Sequence, residues 1–147
     1  MNTEPQKRLR RLLLLACLAM LSHNSIHGQV VVVNRSSRPF NFAAARYEKN
    51  DSWSGFVSVG WHHLEPGAKF QIFQKISTRY VYFYCIDDLL RESNGPYTFF
   101  VDPENGFRIK NADLDYHSSN PSYVRVGFDQ WDTENFTRFE VSIRDPQ

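Results

Sequence analysis

Two kinds of side chain in this 147-residue sequence could build a functional site: a few histidines and carboxylates, and a large supply of aromatic rings. His117 stands in a polar segment with Asp113 and Asp115. Such donors hold a metal ion only when a third strand or turn adds a ligand, because a metal site needs both ligand count and geometry. His62 and His63 are adjacent, so in a strand they point to opposite faces and do not readily share one ion. A surface His62 and a partly buried His63 are expected. A metal-dependent hydrolase using His62 or His117 with Asp113 or Asp115 is therefore the enzymatic alternative. Against it stands a solvated loop, and no nucleophile has a base beside it in the sequence.

The aromatic residues support a different chemistry. Trp53, Trp61 and Trp131, with Tyr80, Tyr82 and Tyr84, have the makings of a platform for a sugar ring or a partner protein. In a two-layer sandwich the same rings would be core. Trp61 alternates with Val57 and Val59 and is expected to face inward, whereas Trp53 and Trp131 are expected in polar loops. Val81, Phe83 and Cys85 fill one face of their strand, so Tyr80, Tyr82 and Tyr84 line the other, as a second buried layer or an exposed patch. With His62 beside Trp61, these seven residues are the candidate ligand-binding set. Cys85, within a YVYFYCI run, reads as a buried thiol, because a catalytic one needs an electropositive, partly exposed setting.

These residues are positioned by short strands. The stretch from Trp53 to Ile86 alternates at a period of two, with Val57, Val59 and Trp61 opposed to Ser58, Gly60 and His62. A turn at Glu65-Pro66-Gly67 leads to Phe70 and Ile72 against Lys69 and Gln71, and a third strand covers Tyr80 to Ile86. Upstream, Val30 to Val33 and Pro39 to Tyr47 read as a hairpin, and Glu48 to Ser54 as a polar loop. Downstream, Asp87 to Pro96 is a loop or short turn. Tyr97 to Val101 and Phe107 to Lys110 form a second hairpin around Asp102-Pro103-Glu104-Asn105-Gly106. That turn lacks the spacing of an EF-hand calcium loop. Asn111 to Ser122 is the longest candidate loop. A final pair turns Val124, Val126, Phe128, Phe139, Val141 and Ile143 inward, and Arg125, Arg138, Glu140 and Arg144 outward. About eight or nine short strands without a convincing helix predict an all-β fold, an antiparallel β-sandwich or a barrel-like variant of it.

The first 28 residues differ from the rest. Lys7, Arg8, Arg10 and Arg11 precede an apolar block, Leu12 to Leu21, and a polar stretch ends at Gly28. This is the pattern of a secretory signal peptide, over residues 1–28, and the block is too short to span a bilayer. Cleavage is expected after Gly28, with Ser22 and Ser25 as other positions for the cut. Leu14-Leu15-Ala16-Cys17 has the shape of a lipobox, but Cys17 is followed by more apolar residues, which favours an ordinary thiol over a lipid anchor. Residues 29–147 would form one domain, exported to the periplasm or the cell exterior.

Removal of residues 1–28 takes four of the 17 Lys+Arg and one of the 16 Asp+Glu, leaving 13 against 15 and a net charge of −2. Basic residues are then spread singly, without the concentrated charge that nucleic-acid binding draws on. All 22 aromatic residues remain, enough for a core without disulfides, which Cys85 alone cannot form. No cofactor motif is present and no cofactor is expected.

The order of residues resembles a family of uncharacterised bacterial exported domains, the "domain of unknown function" family 1036. The resemblance runs from about Val30 to Lys110 and is carried by Val33-Asn34 with Ser36, Ala44-Ala45-Arg46-Tyr47, Trp53-Ser54, and Gly60-Trp61-His62 followed by Pro66-Gly67. Tyr80, Tyr82 and Tyr84, Phe100-Val101-Asp102 and Phe107-Arg108-Ile109 also fit, and Gly-Trp-x-x-x-x-Pro-Gly is its most specific part. The family carries Cys before the early Asn and shortly after Pro-Gly, where this chain has Val33 and Ala68-Lys69, so any family disulfide or metal role is absent here. The resemblance implies an exported β-domain and no activity. It also implies a bacterial setting, in which the sequons at Asn34, Asn50 and Asn135 are chance.

The sequence thus favours an exported, non-enzymatic domain that binds a protein, glycan or envelope component. Mass spectrometry of the exported protein is expected to find Gln29 as its first residue. A lipid-bearing Cys17 there would establish the lipobox, and a retained Met1 would contradict a cleaved leader.

Overall fold

The computed structural model describes residues 28–76, 78–87, 92–134 and 136–145. The expected signal peptide, apart from Gly28, and Cys17 lie outside them. Among the described residues there are nine strands, no α-helix and one short 3-10 helix at Asp115–Ser119. No helix among the described residues is long and apolar enough to cross a membrane. The strands are β1 Gly28–Asn34, β2 Phe40–Lys49, β3 Ser54–Leu64, β4 Lys69–Ile76, β5 Tyr80–Asp87, β6 Tyr97–Val101, β7 Phe107–Lys110, β8 Val124–Asp132 and β9 Arg138–Ile143.

They form an all-β sandwich of unequal sheets. A three-stranded sheet runs β4-β1-β9 and a six-stranded sheet runs β6-β8-β5-β2-β3-β7. The larger sheet curls into a half-barrel, so its outermost strands approach one another. Ala112, just after β7, accepts the amide of Phe100 on β6 at 2.8 Å and donates its own to Phe56 on β3 at 3.1 Å. The Ser58 hydroxyl donates to the Phe100 carbonyl at 2.6 Å, which closes the seam.

The curl gives the larger sheet two buried faces. Its convex face meets the small sheet through Phe40, Phe42, Ala44, Val81 and Phe83, against Val30, Val32, Phe73 and Val141. Its concave face encloses Ala43, Ala45, Tyr82, Tyr84, Phe99, Ile109 and Phe128. Burying each large apolar side chain contributes about 1.5–3 kcal/mol, so two such layers stabilise the domain without a disulfide. At the crowded centre, β2 supplies Ala43, Ala44 and Ala45, all fully buried. Rings from β5, β6 and β8 fill the space that these methyl groups leave.

The strand pairing corrects the sequence-based reading. Only β2 and β3 form a hairpin; β1 pairs with β4 and β9, β6 with β8, and β7 with β3. The expected hairpins β1–β2 and β6–β7 are not formed, and the turn after Leu64 carries the chain from one sheet to the other. One pair, β1 with β9, is parallel. Trp131 belongs to strand β8 and not to a loop. The 3-10 helix occupies part of the segment expected to be a long loop.

Two of the four crossovers from sheet to sheet, β1 to β2 and β3 to β4, are tied together by one side chain. Asn34, at the end of β1, is fully buried. Its Nδ2 donates to the carbonyls of Arg38 at 2.7 Å and Leu64 at 2.9 Å. Its Oδ1 accepts from the Ser36 amide at 2.9 Å and the Ser36 hydroxyl at 2.6 Å. Its backbone accepts the Gly67 amide and donates to Ala68. Gly67 has a φ of 78°, which, with Pro66 before it and the Ala68 amide bonded to Glu65, fits a type II turn. The sequon at Asn34 is therefore inaccessible in the folded chain.

Asn34→Ala takes the side-chain donor from the buried Leu64 carbonyl and leaves the Arg38 carbonyl to the Ser36 hydroxyl, and is expected to cost about 2–3 kcal/mol in urea unfolding, while Ser36→Ala costs about 1 kcal/mol. Unchanged stability of Asn34→Ala would contradict this role.

Candidate functional site

The seven candidate binding residues do not form one patch. Tyr82 and Tyr84 are buried in the concave layer, and Tyr80 is half-buried beside them with the Arg79 guanidinium 5.2 Å from its ring. Trp53 is half-buried outside that layer, its Nε1 donating to Asn111 at 3.1 Å and the Lys110 ammonium 5.3 Å from its ring. Trp131 is 37% exposed and packs edge-on against Phe139, which also meets the exposed Phe136.

Trp61 and His62 occupy faces opposite to those expected. β3 has a register shift opposite Ala43, where Ala44 pairs with Val59 but Phe42 pairs with His62. The extra residue reverses the alternation. Val59 remains on the convex side, but Trp61 joins the concave layer with Tyr84 and Phe107. His62 turns to the convex side, its ring 5.0 Å from Phe42 and 4.5 Å from Phe70. His63, not His62, is the exposed member of the pair, bonded to Asn41 at 3.0 Å and Glu65 at 3.1 Å.

The residues of the enzymatic alternative are engaged elsewhere. His117 Nε2 bonds the Lys110 carbonyl at 2.8 Å, and its ring lies among Phe100, Tyr116 and Tyr123. The Asp115 carboxylate pairs with Arg125 at 2.6 Å, and that guanidinium also bonds the Asp113 carbonyl at 3.1 Å. Among the described residues no three His, Cys, Asp or Glu side chains come together as a metal site would require. Cys85 sits on the convex side, where burial pushes its thiol up to about 12, so it stays protonated at neutral pH.

Trp61 and Tyr84 do meet, 5.7 Å between ring centroids, at one end of the curl. There the concave layer opens into a cleft of about 520 Å³. Ile86, Val101, Val124 and Val126 make its apolar walls, Pro103, Glu104 and Glu92 its rim, and Asn41 lies beside Trp61. Trp61 Nε1 donates to the Asp102 carbonyl at 2.7 Å, which fixes the indole against the turn after β6. That turn is itself held by Asp102, whose carboxylate caps the Glu104 and Asn105 amides at 3.0 Å. The Tyr84 hydroxyl donates to Glu92, and Glu92 bridges by its backbone to Ile86. Burial first, and this bond second, hold the Tyr84 hydroxyl above the ordinary phenol range.

Compared with protein-family models, curated proteins and solved structures, the chain matches none.

Five elements contribute to the cleft, which explains why sequence reasoning named only Trp61 and Tyr84 of its lining. Val124 was expected to point inward and does face the cleft, but at 40% exposure it forms part of the open wall. Glu92 and Glu104 carried no signal, since each stands in a turn where an acid is ordinary.

The pKa shifts set the pH response. Burial lowers the His62 pKa below 6.5, and its Nε2 has no hydrogen-bond partner among the described residues, so the fold favours neutral imidazole. Stability from this residue is present above pH 6.5 and is lost as pH falls. The thermal midpoint should drop on acidification, and less steeply in His62→Phe. Equal slopes would contradict the assignment. Cys85 and Tyr84 titrate in the opposite sense, being raised from 9.0 and 10.0, so their contribution is complete below pH 9.0 and lost above it. Cys85→Ala should flatten the midpoint's fall above pH 9.0, and an unchanged alkaline slope would overturn this.

Proposed function

We propose that this protein is an exported, non-catalytic binding domain, and that its ligand, a protein, glycan or other envelope component, occupies the cleft walled by Trp61 and Tyr84. One observation carries the reading: a preformed, largely apolar concavity, lined by two rings that the core holds in place, with a few polar groups at its rim. Sites for organic ligands have this construction, and a volume near 520 Å³ is within their usual range. Rigid aromatic walls lose little conformational freedom on binding.

The export part of the proposal rests on the basic and apolar pattern of residues 1–28 and on the resemblance to an exported family. The non-catalytic part is supported by the commitments of His117 and Asp115 to the backbone and to Arg125. The cleft is favoured over the exposed Trp131, Phe136 and Phe139 cluster because it is concave, and concavity buries more of a ligand than a flat patch does.

Binding to an array of soluble glycans and peptides tests the proposal. Signal should be lost in Trp61→Ala and in Val124→Arg, which fills the cleft from its exposed wall without disturbing the core, and should persist in Trp131→Ala. Signal that follows Trp131 and ignores Val124→Arg would move the site to the exposed cluster.

A further inference from the structure

The cleft is one-signed as well as apolar. Among the described residues that line it, the charged ones are Glu92 and Glu104, and no Lys, Arg or His lies there. Both are exposed. Glu92 keeps its carboxylate at the cleft because the Tyr84 hydroxyl, rooted in the buried layer, donates to it. The Glu104 carboxylate has no hydrogen bond or ion pair with a described residue, whereas several acids elsewhere do. Asp115 is paired with Arg125, Asp132 and Glu134 with Arg79, Glu140 with Arg35, and Glu48 with Arg46 and Arg108. Two carboxylates without a cationic partner among the described residues thus sit beside apolar walls that exclude water from one side and strengthen their field.

Resting on the cleft reading above, we infer that the occupant is a peptide segment that inserts a lysine or arginine side chain, its methylene stem against Val101, Val124 and Val126 and its cationic head between Glu92 and Glu104. The shape of the site matches that chemistry. A basic side chain is an apolar rod with a charged tip, which suits greasy walls ending at carboxylates. Trp61, half-buried at the cleft, adds an aromatic ring of the kind that attracts the same head group. The volume of about 520 Å³ exceeds one side chain, leaving room for the flanking backbone, so a segment fills the cleft better than a free amine. A polyanion or a phosphate group is disfavoured by the same two carboxylates.

The test uses a variant in which Trp53 and Trp131 are replaced by Phe, so that Trp61 alone reports. Two blocked pentapeptides, Gly-Gly-Lys-Gly-Gly and its Nζ-acetyl-lysine counterpart, are titrated against its emission. The free amine should bind at least about tenfold more tightly than the acetylated peptide, a difference of about 1.4 kcal/mol. Salt should weaken the amine peptide alone. Glu104→Gln and Glu92→Gln should each remove much of that advantage, and Glu92→Gln keeps an oxygen for the Tyr84 hydroxyl. Equal affinity for the two peptides would overturn the charge inference and leave the cleft as the site. Binding of neither would overturn the basic-peptide occupant, and the array with Trp61→Ala and Val124→Arg would then decide separately whether the cleft binds anything.

Discussion

The structure depends on a sheet that has no wet face at its centre. β2 and β5 carry buried side chains on both sides, Phe42 and Phe83 toward the small sheet, Ala43 and Tyr84 toward the inside of the curl. A strand of an antiparallel sheet usually keeps one solvated side, and its alternation shows it. Here the alternation is of size. Two alanines of β2, Ala43 and Ala45, let the curl close, and the volume they leave is taken by Tyr82, Tyr84, Phe99 and Phe128, arranged edge-on or tilted at 5.1 to 5.8 Å. Such packing adds to the burial of each ring, so the concave layer is both a core and a rigid mount. The cleft exists because this layer runs out at the end of β5, where Trp61 and Tyr84 have rings behind them and space in front.

Connecting two sheets imposes a second requirement. Most successive strands cross between layers or across the curl, and the crossings leave backbone carbonyls in the interior. Asn34 meets two of them with its amide and orders the Ser36 turn with its oxygen. A buried amide that satisfies its hydrogen bonds costs little, and one that does not costs more than most apolar losses. The same reasoning explains Gly95. A Cβ there would come within 2.0 Å of the Phe128 carbonyl, so the segment leading into β6 can cross β8 only as bare backbone.

Much of this was legible in the sequence, and the parts that were not have physical reasons. The two faces of β5 followed from strict alternation, because neither Val81, Phe83 and Cys85 nor Tyr80, Tyr82 and Tyr84 is interrupted. The strand count and the absence of α-helix among the described residues followed from the spacing of turns. Pairing did not follow. Turn residues such as Pro66-Gly67 fix a local reversal, but a hairpin and a crossover between layers can use the same turn, and the choice lies with partners far along the chain. β1 and β9 illustrate this, pairing in parallel across more than a hundred residues. The bulge in β3 was invisible as well, since one extra residue changes no composition, yet it exchanged the environments of Trp61 and His62. The cleft's acids escaped notice for a related reason. Glu92 and Glu104 stand in different turns, and only the curl brings both to the same opening.

The proposed function would be a consequence of rigidity: an aromatic layer that the fold cannot do without ends in an open cleft. The most direct measurement is native-state hydrogen exchange of the backbone amides. If the larger sheet is buried on both faces, Ala43 to Ala45 and Tyr82 to Tyr84 will be the slowest to exchange and will do so only through global unfolding. Exchange of those amides through local opening, well below the free energy of unfolding and while β1 stays protected, would contradict it.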